Sequence, residues 1–332
     1  MKKFKSIDLL CNVSEKVFLD RLRVALILLV VIGHATRMFS PMGVYSGRIA
    51  IDPIHELITT VIYSFHMPFF VMISGYVYGI CVMKSKDYVF FWPVIRKKIL
   101  RLMVPYCVWG VALVAPVLIA LSVTPLTYWG YLKSGILLSL DCKHLWFLGA
   151  LFLTFLLVHG GKCALCRLKV YNEIPLSIKC FVFILMAFVL RYISFPIYFQ
   201  IWNAIYYLPF FLFGYFIKRS LLNKPLDRIL LIICAFFILW SLGVIGAVSA
   251  VVFCFLMGVL RIEDTPPFSV VKAYGMGIYI LHPMMLYVIY YYYPSSMNPY
   301  LYTIFSILMV MFVSILLCKL IKRINLSFLL GE

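Results

Sequence analysis

An arginine and two histidines carry the chemistry that is legible in this sequence. Arg23 and His34 stand eleven residues apart at the start of a long apolar run. A helix turning about 100° per residue brings them to within roughly 20° of one face, about 16 Å apart along its axis. His66 lies nine residues inside the next apolar run. Two neighbouring antiparallel helices would therefore hold His34 and His66 at similar depth. A neutral imidazole can take a proton from a hydroxyl near pH 7, and a guanidinium can grip phosphate oxygens in pairs. An ionisable group deep in a bilayer costs about 2.5–3.5 kcal/mol on insertion scales, which makes each such residue a functional candidate.

Plainer readings stand beside these. Arg23 serves equally as a headgroup anchor with its stem in the apolar layer. Either histidine serves as a hydrogen-bonded strut between helices. His282, ten residues into a later run, is a third deep polar group. Asp20 has Arg21 and Arg23 as ready ion-pair partners. Ser74-Gly75 reads as a small-residue surface for close helix approach, and Trp146 as an interfacial aromatic. Arg37 and Arg191 fall near the opposite interface, as anchors would. The run holding Arg96, Lys97, Lys98 and Arg101 is a topology signal, and also a clamp suited to a phosphorylated ligand.

The elements that must position these residues are apolar runs of membrane-spanning length. Of 332 residues, 64% are hydrophobic and 13% charged. At ~20 residues per span, the chain has room for about ten spans and no sizeable soluble domain. The expected fold is an all-α polytopic integral membrane protein, one domain over 1–332. Its spans fall near 22–39, 57–82, 102–123, 144–158, 180–195, 201–217, 273–292 and 300–318, with two more in 229–260 turning around Gly243 and Gly246. The amphipathic stretch 124–143 is expected to hold a short interfacial helix. The polar segment 1–20 shows no cleavable signal peptide, and it lies with the tail 319–332 on the cytoplasmic side. In that layout 25 of the 30 lysines and arginines fall on the cytoplasmic side, as the positive-inside bias demands. The net charge of +18 thus has a topological origin and implies no nucleic acid. Ten cysteines are scattered through the chain. Cys163 and Cys166, with His159 nearby, lack the fourth ligand of a zinc site, so no metal is expected.

The motifs, taken in order, resemble a known family. Leu19-Asp20-Arg21-Leu22-Arg23-Val24-Ala25 with Gly33-His34 is similar to the opening of the acyltransferase-3 membrane family, whose signature is an arginine, ten residues, then a histidine. Phe65-His66-Met67-Pro68-Phe69-Phe70 and Ile73-Ser74-Gly75-Tyr76 resemble its second-helix motif. Arg101-Leu102-Met103-Val104-Pro105-Tyr106, His144-Leu145-Trp146-Phe147-Leu148 and Gly277-Ile278-Tyr279-Ile280-Leu281-His282 continue the likeness.

The resemblance implies a multi-pass enzyme of the bacterial inner membrane that moves an acyl group, usually acetyl, from acyl-coenzyme A. The acceptor it implies is a hydroxyl on a surface glycan or its lipid-linked precursor, such as O-antigen, common antigen, capsule or exopolysaccharide. Acetyl-coenzyme A would be the donor, with His34 as general base and His66 orienting it or meeting the acceptor. Arg23, Arg96, Lys98 and Arg101 would bind donor phosphates, with Asp20, Ser74, Trp146 and His282 around the pocket. Many members carry two arginines three apart in the basic loop. Here Lys98 and Arg101 hold those positions, and lysine keeps the charge but loses the bidentate fork. A glycan transporter or flippase is the competing class. Such proteins tend to show internal repeats or paired broken helices, and no self-similarity is visible here.

Overall fold

A computed structural model describes residues 13–166, 168, 174–190, 192–193, 196–219, 225–259 and 265–332. The described residues form helices and no strands. The long helices are α1 (Val13–Arg37), α2 (Pro53–Lys84), α3 (Phe91–Ala120), α4 (Trp146–Leu165), α5 (Leu176–Leu190), α6 (Ile201–Arg219), α7 (Pro225–Val259), α8 (Pro266–Tyr291) and α9 (Pro299–Arg323). A 3-10 turn, Lys143–Leu145, leads into α4. Within 124–143 a short helix, Tyr128–Tyr131, continues as wide π-type turns over Leu132–Leu137.

Helix starts follow local chemistry. Asp52 caps α2, its Oδ1 accepting from the backbone N–H groups of Ile54 at 3.1 Å and His55 at 2.9 Å. Asn298 does the same for α9 with Tyr300 at 2.9 Å and Leu301 at 3.2 Å. A proline follows each cap, where its missing N–H costs nothing. Inside α2, Pro68 leaves the Ser64 carbonyl without its usual helical partner. Gly246 of α7 comes close to that same carbonyl, which a Cβ there would meet at 2.9 Å.

Six described helices are long and apolar enough to cross a membrane: α2, α3, α4 with its leading turn, α7, α8 and α9. That differs from the ten spans expected, for identifiable reasons. The first turns of α1 carry Glu15, Lys16, Asp20, Arg21 and Arg23. Helix α5 has only 15 residues, and α6 mixes Asn203 and several tyrosines into its apolar run. Residues 225–259 form a continuous segment of 35 residues made of two helices that meet at a kink. It is broken at Gly243, whose φ of +69° and ψ of 176° lie outside the helical region. That glycine is where the sequence reading places a turn. Beyond the break, Phe253 packs on Phe65 and Phe69 of α2, and the Met257 carbonyl accepts from Arg21. Arg191 lies outside the described residues.

Two contacts fix the centre of the molecule. Gly75 of α2 and Gly214 of α6 lie against each other's backbones. A Cβ on Gly75 would collide with the Phe211 carbonyl, and one on Gly214 with the Met72 carbonyl. Helix α1 packs between α2 and α8. The 3-10 turn Ser327–Leu330 then folds back under α3, where the Trp109 indole donates to the Leu329 carbonyl at 2.7 Å.

Candidate functional site

The basic residues of three separate helices converge on one cavity of about 550 Å³. Lys16 and Arg23 reach it from α1, Lys97, Lys98 and Arg101 from α3, and Lys272 from α8. Between Lys98 and Arg101 the backbone of α3 runs through a wide π-type turn, Ile99–Met103, a distortion that often marks functional positions. Among the described residues, two carboxylates, Asp20 and Glu332, stand against these six cations. Asp20 holds two of the cations in place, at 3.5 Å from Arg23 and 2.6 Å from Lys272. The Lys98 ammonium sits 3.6 Å from the Phe155 ring centre, a cation–π contact. Ser74 also lines the cavity, with its hydroxyl donating to the Phe70 carbonyl at 2.9 Å. Inward, the walls become apolar, with Ile27, Phe147, Leu148 and Tyr279. The result is a basic mouth over an apolar, aromatic floor.

Beyond that floor lies a cluster of rings. His34 and His282 meet with centroids 4.9 Å apart at 83°, and His282 Nε2 is 3.4 Å from His34 Nδ1. His144 joins at 6.4 Å from His282. The Tyr279 ring sits against both, and its hydroxyl donates to the His144 carbonyl. His66 does not touch His34 directly. Tyr63 bridges them, 5.9 Å from His34 and 5.0 Å from His66. Gly33 makes room for the bridge, because a Cβ there would come within 3.1 Å of the Tyr63 ring. The similar depth expected for the two histidines thus becomes a shared neighbour.

Hydrogen bonds assign the tautomers. The Nδ1 atoms of His34, His66 and His282 lie 2.9, 2.7 and 2.8 Å from the carbonyls of Val30, Ile62 and Ile278. A carbonyl only accepts, so each Nδ1 carries the proton and each neutral ring keeps its Nε2 lone pair. His34 Nε2 can therefore accept a proton without a tautomer change.

Two expected residues stand apart. Arg96 is exposed and does not line the cavity. Trp146 is half-buried, stacked on Tyr207 at 5.5 Å and 26°, also off the cavity. Several cluster or mouth residues were not singled out in the sequence as site residues, among them His144, Tyr63, Tyr279, Lys16 and Lys272. The His-Leu-Trp-Phe-Leu motif was the one available signal for His144. Its place at the start of a run suggests an interface, but the 3-10 turn carries it inward. Tyr279 stands in the Gly277–His282 motif, whereas Tyr63, one tyrosine among 23, gave no signal.

At the opposite end of α2 sits a second polar network. His55 is buried and donates through Nδ1 to Asp52 at 2.7 Å, while Thr303 donates to its Nε2 at 2.9 Å. The Tyr300 hydroxyl donates to the other Asp52 oxygen at 2.9 Å. Burial raises the Asp52 pKa, but the bonds from His55 and Tyr300 outweigh it and leave the carboxyl below its ordinary value. Nearby, burial pushes the Tyr45 phenol up to about 12. Its hydroxyl and Arg48 tie the loop between α1 and α2 to the end of α8, at the carbonyls of Tyr287 and Tyr290.

The family model described as an acyltransferase domain matches residues 16–319. The chain belongs to the acyltransferase-3 family. No curated protein and no solved structure matches it. The matched stretch runs from Lys16 at the cavity mouth through every residue of the ring cluster, and leaves out Glu332. A family of membrane acyltransferases is thus joined here to a cavity with a basic mouth and a floor of aromatic rings.

Proposed function

We propose that this acyltransferase-3 protein is a membrane-bound O-acyltransferase. It takes an acyl group, acetyl in the first instance, from acyl-coenzyme A to a sugar hydroxyl of a bacterial surface glycan or its lipid-linked precursor. The observation that carries the reading is the cavity itself, with six cations among the described residues at its mouth and a floor whose Tyr279 ring lies against His144 and His282. Coenzyme A has matching ends, with phosphates at one and a narrow pantetheine arm carrying the thioester at the other. Arg23, Lys98 and Arg101 would hold the phosphates. The thioester would reach past Tyr279 toward His34, about 16 Å from Arg23 along α1.

His34 Nε2 would take the acceptor proton as the hydroxyl oxygen attacks the thioester carbon. Collapse of the tetrahedral intermediate breaks the C–S bond, and His34 returns the proton to the leaving sulfur. The topology that suits this chemistry has ten crossings of the inner membrane, α1, α5, α6 and both halves of α7 included, with both termini cytoplasmic. That side carries 25 of the 30 basic residues and is where coenzyme A is found.

Release of free coenzyme A from acetyl-coenzyme A by membranes holding the protein tests the reading. The expected result is release that His34→Ala abolishes, with loss of acetyl groups from the intact glycan by mass spectrometry. Equal release and acetylation in the His34→Ala protein would overturn it.

A further inference from the structure

Acyl transfer needs a hydrogen-bond donor for the oxyanion as well as a base for the hydroxyl. The ring cluster contains six candidate side chains, and nearly all of their protons are spent. A neutral imidazole has one N–H. Those of His34, His66 and His282 go to Val30, Ile62 and Ile278, and that of His144 goes from Nε2 to the Ile280 carbonyl at 2.8 Å. The Tyr279 hydroxyl is taken by the His144 carbonyl. The remaining ring is Tyr63. Its hydroxyl is buried and donates to no group among the described residues. The Arg37 guanidinium lies 5.4 Å from the Tyr63 ring centre. Guanidinium has only donors, so any bond it offers uses a phenol lone pair and leaves the O–H free.

We infer that Tyr63 is the oxyanion donor of this site, with Arg37 as the residue that positions it. The inference rests on the proposed acyl transfer. As the acceptor oxygen bonds to the thioester carbon, the carbonyl electrons move onto oxygen and the Tyr63 O–H bonds to that oxyanion. When the C–S bond breaks, the carbonyl reforms and Tyr63 keeps its proton. Tyr63 lies between His34 and His66 and beside Arg37, three residues beyond His34 on α1. His34 and Tyr63 thus divide the chemistry: one accepts the hydroxyl proton and the other donates to the developing charge.

The test is Tyr63→Phe in full-length protein in native membranes, with acetyl-coenzyme A as the probe and released coenzyme A as the readout. Phenylalanine keeps the ring contacts with His34 and His66 and removes only the donor. Loss of one oxyanion donor costs about 10²–10³ in kcat. The expected result is a fall of that size with KM for acetyl-coenzyme A unchanged. The second variant is Tyr63→3,5-difluorotyrosine, whose phenol ionises at lower pH. Its turnover is expected to fall at a lower pH than that of the unmodified protein, a shift that a purely structural ring would not produce. Full turnover in Tyr63→Phe, a rise in KM alone, or an unmoved pH profile overturns the inference and leaves the functional reading standing. Absence of coenzyme A release by the unmodified protein overturns both.

Discussion

His282 Nε2 stands 3.4 Å from His34 Nδ1, although the two residues are 248 positions apart. His34 Nδ1–H already donates to Val30, so the His282 lone pair is its second acceptor and helps hold the ring. His282 is therefore a positioning residue for the base. Loss of one such bond is worth about 1–1.5 kcal/mol. His282→Ala is expected to lower kcat about tenfold without changing KM for the donor. Steady-state kinetics on coenzyme A release check this.

The cavity mouth predicts a different signature. Arg23→Ala and Arg101→Ala each remove a charged partner for phosphate, worth about 1.5–3 kcal/mol. Each should raise KM for acetyl-coenzyme A by about 10–150-fold with kcat little changed, and added salt should weaken donor binding in the unmodified protein. Arg96→Ala is the control. It is exposed and off the cavity, so donor KM should stay at the wild-type value.

Two glycines are expected to be costly to replace for opposite reasons. Gly75→Ala drives a Cβ into the backbone at Phe211, so α2 and α6 must separate. Overpacking of this kind costs about 1–3 kcal/mol. Gly243→Ala meets nothing within 4 Å, yet its φ is +69°, a conformation nearly confined to glycine that costs about 1–3 kcal/mol for other residues. Thermal unfolding in detergent should show both losses, and filling the space at Gly243 should not rescue it.

Asp52 predicts an acid limit to stability. Its folded pKa is below the ordinary value, so its contribution is fully present above about pH 4 and fades as pH falls toward the folded value. Thermal melts across about pH 3–6 should show that decline. Asp52→Asn keeps a capping side chain and should flatten it.

Much of the site's polarity was legible before any tertiary contact. Arg23 and His34 share α1 because an unbroken helix fixes their phase and separation. Lys98, Arg101, Asp20 and Ser74 were named from the sequence and all line the cavity. Arg96 was named with them and points elsewhere, because charge in a run does not say which face of a helix carries it inward. The number of spans was less legible. Short or charge-bearing helices such as α5 and α1 blur a count that hydropathy makes, and the break at Gly243 turns on a single dihedral.

What the sequence by itself determined is therefore periodic and local: helices, caps, basic segments between apolar runs, and the Arg23–His34 stripe. These follow from hydrophobicity and helical geometry, which act within one segment. Only the tertiary structure decided which rings would share a centre. It brought His282 and His144 to His34, placed Tyr63 between two histidines, and drew Lys16 and Lys272 to the same mouth. Those pairings depend on how helices pack, through contacts such as Gly75 on Gly214 and Gly33 on Tyr63. Packing joins residues by shape across hundreds of positions, and no spacing within one helix encodes it.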